Sequence, residues 1–125
     1  MPMRLAAVAA LLVAAPVAAQ SMNAEAFHKR ASALQAKGPL AIFSRTEINT
    51  LMGEVKASAQ KAREQRLATI KAGGKPRYCP PGNSGGIGAT EFMQRMAAIP
   101  VAERARMDMT EATVRVLASK YPCPA

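Results

Sequence analysis

Apolar residues recur along most of this chain at steps of three and four, the spacing that gathers side chains on one face of an α-helix. After an apolar opening, Phe27, Ala31 and Leu34 form the first such stripe. Ser21 or Asn23 can cap it, Glu25 stands near its positive end, and Gly38-Pro39 stops it. The stripe is short and weakly apolar, which predicts a helix packed at an edge or frayed. Leu40-Ala41-Ile42-Phe43 is an apolar run too brief to assign by period. Next comes Ser44-Arg45-Thr46-Glu47, the pattern of a capping box, with Phe43 and Ile48 placed to staple it. Ile48, Leu51, Met52, Val55, Ala59 and Ala62 then keep the helical repeat. The stripe thins to alanine as Lys56, Lys61, Arg63, Arg66 and Lys71 gather, and Gly73-Gly74 ends it. This predicts the longest helix, about 26 residues, with its second half the more exposed.

Lys75-Pro76-Arg77 leads into a bracketed unit, residues 78–125. It opens Tyr78-Cys79-Pro80-Pro81 and closes Tyr121-Pro122-Cys123-Pro124. The run from Pro80 to Gly88 holds too many prolines and glycines for regular structure. A helix is predicted from about Ala89 to Ile99, with Ala89, Phe92, Met93, Met96 and Ala97 on one face. Pro100 suits the first turn of a new segment, and Val101 to Arg106 a short turn of helix. Asp108 or Thr110 starts the last helix, whose stripe is Met109, Ala112, Thr113, Val116 and Leu117. With no strand signal, the expected fold is all-α. About four helices are expected, with residues 20–77 packing on a C-terminal helical hairpin into one domain.

The opening segment changes the address of the chain. Arg4, the apolar run Leu5 to Ala19 and the small-residue finish Val17-Ala18-Ala19 have the three parts of a secretory signal peptide. The run is too short and too alanine-rich for a comfortable membrane span of ~20 residues. Cleavage is expected after Ala19, giving a periplasmic or secreted protein with no stable membrane insertion. Without Arg4 the mature chain carries 16 basic against 8 acidic side chains, a net charge of +8. Such a surface is soluble and attracts anionic partners such as acidic proteins, anionic lipid or cell-wall polymers. An exported chain meets little nucleic acid, so none is expected as a partner. Two cysteines in a small exported chain read as a disulfide, Cys79 to Cys123.

Candidate chemistry is sparse. His28, the one histidine, sits beside Lys29 and Arg30 and lacks the company that a metal site needs, so no metal ligand is assigned. The carboxylates Glu25, Glu47, Glu54, Glu64, Glu91, Glu103, Asp108 and Glu111 are scattered, and no catalytic set of acid, base and nucleophile can be nominated. The chain is therefore expected to be non-catalytic and free of cofactors. The loop Gly82-Asn83-Ser84-Gly85-Gly86-Ile87-Gly88 lacks the Gly-Lys-Ser/Thr ending of a phosphate loop and any strand before it. Its glycines allow close approach to another surface, so Asn83, Ser84 and Ile87 are candidate partner-binding residues. Lys61, Arg63 and Arg66 on the basic half of the long helix are the others. Met93, Met96 and Met109 fit a core, or an adaptable apolar groove for another protein.

Tyr78-Cys79-x-Pro81, an aromatic-bearing helix, Ile99-Pro100 and an alanine-rich helix ending Tyr121-Pro122-Cys123 resemble the Rap/Tai immunity proteins of type VI secretion. The resemblance covers residues 78–125. It implies a small exported helical domain, without enzymatic activity and often dimeric, that binds and blocks cell-wall amidase toxins. That family also carries a cysteine pair in its first helices, whereas both cysteines here lie in the C-terminal unit. A second resemblance, to the disulfide-tied helical acid chaperones of the HdeA type, implies a periplasmic chaperone-like binder.

Overall fold

The computed structural model describes residues 21–82 and 86–125. The leader read at residues 1–19 and the loop residues Asn83 and Ser84 lie outside them. The described residues form an all-α fold. Its helices are α1 (Ala24–Ala36), α2 (Arg45–Lys71), α3 (Ala89–Ala97), α4 (Val101–Arg104) and α5 (Met109–Lys120), with a 3₁₀ turn, Gly38–Phe43, between α1 and α2. No described helix is long and apolar enough to cross a membrane.

Two of the expected caps form. The Asn23 side chain accepts from the backbone N–H groups of Glu25 and Ala26, and that of Asp108 from Glu111 N–H. Each satisfies donors that the first turn leaves without a helical partner. The two caps also face each other: Met109 N–H donates to Met22 O (2.7 Å) and Ala24 N–H to Met107 O (3.0 Å). The starts of α1 and α5 are thereby tied together across the chain. At the far end of α2, Gly73 takes a positive φ of 79°, and Ala72, Gly73 and Gly74 turn their N–H groups back onto the last carbonyls.

The capping box does not form. Ser44 makes no side-chain cap; its Oγ accepts from Lys37 Nζ (2.9 Å), while both Glu47 oxygens are held by Arg30 at 2.6 Å. A charge-assisted, two-pronged bond outcompetes a neutral cap. The staple is absent too, because the 3₁₀ turn leaves Phe43 84% exposed.

Expected to sit at an edge, α1 instead contributes to the centre. Ala24 and Phe27 are buried in the main core with Leu51, Phe92, Met96, Ile99, Met107, Met109, Ala112 and Val116. Phe27 meets Phe92 edge-on, with ring centroids 6.3 Å apart and planes at 81°. Burying a phenylalanine of this kind contributes ~1.5–3 kcal/mol, enough to hold a short helix in place. Along α2 the buried line runs through Leu51, Ser58 and Ala62, so Met52 and Ala59, expected inward, lie outside.

The most buried element is α5, which packs chiefly along α2 and also against α3. Beyond its predicted stripe it buries Val114 with Ala62 and Tyr78 in a second, smaller cluster. The Cys79–Cys123 disulfide closes the unit over a sequence separation of 44, and beside it Cys79 N–H donates to Tyr121 O (2.8 Å). A closed loop of that length is worth roughly 4 kcal/mol in the chain-entropy account.

Candidate binding surfaces

Among the depressions formed by the described residues, two have linings suited to a partner. The first is an apolar groove between α1, α2 and α3, of about 260 Å³. Phe27, Ala31 and Leu34 line it from α1, Ile48, Leu51, Met52 and Val55 from α2, and Phe92 and Met93 from α3. Ile87 and Ala89 close one side. At one end the 3₁₀ turn joins α1 to α2 and carries Leu40, Ile42 and Phe43, all exposed. Three exposed apolar side chains on one six-residue turn are more than single scattered residues would give.

An ion pair at the opposite end of α1 ties two of the groove's helices together. Arg104, buried, donates through Nε to Glu25 Oε2 (2.6 Å) and through Nη1 to the carbonyls of Met96, Ala97 and Ile99. One side chain thus joins the start of α1 to the C-terminal carbonyls of α3. The hydrogen bond from Arg104 holds the Glu25 carboxyl below the usual range, against the opposing effect of burial. Half-buried His28 is held below its ordinary value by burial and then by the Arg104 charge, so it is neutral at neutral pH.

The second depression, about 440 Å³, lies beside the disulfide. It is lined by Arg63 and Arg66 from α2, Leu117 and Tyr121 from the end of α5, and Tyr78, Pro80, Pro81, Gly82 and Gly86. Arg66 donates to Tyr78 O (3.1 Å) and its guanidinium lies 5.6 Å from the centre of the Tyr78 ring. Burial pushes the Tyr78 phenol up, while the Arg66 and Arg63 charges pull it the other way. Both arginines therefore act electrostatically at this ring.

Glu25, Glu47, Glu91, Glu103 and Glu111 are all ion-paired, with Arg104, Arg30, Arg95 and Lys120, Arg115, and Arg77 and Arg115. Asp108 caps α5, and Glu54 accepts from Met22 N–H. Among the described residues no ion pair reaches Lys56, Arg63, Arg66 or Lys71 on α2. Part of the net positive charge thus lies along α2, beside Glu64, while Lys29, Lys37, Arg45, Lys75 and Arg106 are likewise outside the ion pairs among the described residues.

Among the residues nominated from sequence, Arg63 and Arg66 come together in the second depression, and Lys61 lies on the same half of α2. Ile87 belongs instead to the apolar groove and packs against the main core. Of the methionines read as core or as an apolar groove, Met93 lines the groove while Met96 and Met109 are buried in the core; the exposed 3₁₀ turn and the Tyr78–Tyr121 walls were missed. The one sequence signal for them was Leu40–Phe43, an apolar run with no periodic partner. Among the described residues no three metal-ligating side chains gather. No family model, curated protein or solved structure matches this chain.

Proposed function

We propose that this chain is an exported, non-catalytic protein-binding domain of immunity type, which binds and inhibits a cell-wall-degrading effector. The observation that carries the reading is the apolar groove, together with the exposed Leu40, Ile42 and Phe43 on the turn that joins two of its helices. A domain this small gains stability by burying such residues, and their exposure is what a protein interface requires. The tyrosine-, proline- and cysteine-bearing brackets of residues 78–125, which resemble the Rap/Tai proteins, supply the kind of partner. A disulfide at Cys79–Cys123 fits an oxidising compartment and so supports export. The binding role without catalysis is supported by the carboxylates, most of which are engaged in ion pairs or caps that hold the fold.

The test is a titration of the mature chain, disulfide intact, against a cell-wall amidase encoded beside it. Stoichiometric inhibition of peptidoglycan hydrolysis, weakened by Phe43→Ser, is expected. Failure to inhibit while suppressing the aggregation of many unrelated proteins would replace this reading with the chaperone-like one. That second reading draws on Met52 and Met93, whose flexible side chains let an apolar groove adapt to different occupants.

A further inference from the structure

The second half of α2 carries more than charge. Leu67 and Ile70 are close to half exposed there, two of the few large apolar side chains left on the surface. Helical geometry relates them to the basic residues. Leu67 lies four residues from both Arg63 and Lys71, and Ile70 four from Arg66 and seven from Arg63. Residues at these spacings share one flank of a helix. The flank from Arg63 to Lys71 is therefore mixed, with guanidinium and ammonium groups set around an apolar pair and the exposed Glu64 at its edge, over roughly 12 Å of helix at 1.5 Å per residue. Arg63 and Arg66 extend it sideways into the depression walled by Tyr78 and Tyr121.

This combination selects among anions. Phosphate or a nucleic-acid backbone would use the cations and leave Leu67, Ile70 and the tyrosine walls without purpose. An anionic lipid surface would use both, but it is flat, whereas this surface includes a concavity of about 440 Å³. Planar arginine forks match carboxylates, and apolar residues three apart match the apolar stripe of another helix. We propose that this flank of α2, with the Tyr78–Tyr121 depression at its side, docks an acidic amphipathic helix of a protein partner. The inference rests on the protein-binding reading and assigns that partner a second contact, separate from the apolar groove.

The probe is a labelled peptide of about five helical turns, with leucine along one face and glutamate elsewhere, titrated into the mature chain. Binding is expected to fall at least tenfold with Gln in place of Glu in the peptide, and at least tenfold in Arg63→Glu. Leu67→Ser and Ile70→Ser should each weaken it severalfold. A peptide with Lys in place of Glu should bind Arg63→Glu better than it binds the unaltered protein. All three substituted positions are exposed, so folding should survive, and circular dichroism checks it. Arg66 is left alone because its bond to Tyr78 O holds the wall of the depression. Equal binding by all variants overturns the proposal, as does full competition by inorganic phosphate. Binding to phosphatidylglycerol vesicles with the same dependence on Arg63, Leu67 and Ile70 would assign the flank to lipid instead. If Phe43→Ser weakens amidase inhibition while the α2 variants do not, the docking site is wrong and the binding reading stands. If no variant and no amidase shows an effect, the binding reading itself falls.

Discussion

Replacing Arg104 with Met tests the joint between α1 and α3, two of the helices that line the groove. The Arg104 and Glu25 side chains are 5% and 12% exposed, 2.6 Å apart, so water screens the pair little. Methionine keeps much of the apolar volume but removes the charge and the donors to Met96 O, Ala97 O and Ile99 O. It leaves a buried carboxylate without its cation and three carbonyls without a donor. Breaking a buried pair in this way costs about 3–5 kcal/mol. A domain of this size holds only about 5–15 kcal/mol in total, so the variant should sit near the edge of folding. Glu25→Gln should cost less, about 1–3 kcal/mol, because Arg104 keeps its carbonyl acceptors.

Urea unfolding followed by circular dichroism measures both variants. The dependence on pH has a definite sign. The folded Glu25 carboxyl is held below its ordinary value, chiefly by the hydrogen bond from Arg104. Its contribution is therefore complete above the unfolded carboxylate range, near 4.3, and is lost as pH falls through the lower folded value. The gap between the unaltered protein and Glu25→Gln should be full at about pH 7 and shrink on acidification. Arg104→Met within ~1 kcal/mol of the parent, or Glu25→Gln the worse of the two, would refute the joint as described.

Three further outcomes are expected. Cys79→Ser should lower the unfolding free energy by roughly 4 kcal/mol, and a reductant should do the same to the unaltered protein. Thr113→Val should raise stability by about 1 kcal/mol, seen as a higher Tm, because the buried Thr113 Oγ1 has no hydrogen-bond partner among the described residues. Phe43→Ser should change stability by less than about 0.5 kcal/mol, Phe43 being almost wholly exposed, while still weakening amidase inhibition.

Local signals in the sequence were reliable where nothing distant competed. Asn23 and Asp108 cap as their chemistry dictates, Gly73 stops α2, and the methionine stripe of α3 and α5 goes inward at Met96 and Met109. The capping box at Ser44 failed because two cations, Lys37 and Arg30, arrived from α1 and its end and took both of its polar groups. The place of α1 was misjudged for a related reason. Its moderate apolar stripe gains its value from Phe92, far along the chain, and no local period reports that meeting.

The binding surfaces divide along the same line. The basic half of α2 was visible as a run of charges, since surplus charge needs no fold to be counted. What makes Arg63 and Arg66 a depression rather than a stripe is Tyr78 and Tyr121, and those are brought together by Cys79–Cys123. The groove needs three helices at once, and of its lining only Met93 was offered by the sequence as a groove residue. The two surfaces nevertheless share a boundary, because Gly82 and Gly86 line the depression while Ile87 and Ala89 line the groove. Gly86 and Ile87, neighbours in the chain just before α3, thus face one surface each. Reduction should loosen that boundary and weaken binding at both surfaces together. A variant such as Phe43→Ser or Arg63→Glu should affect only its own.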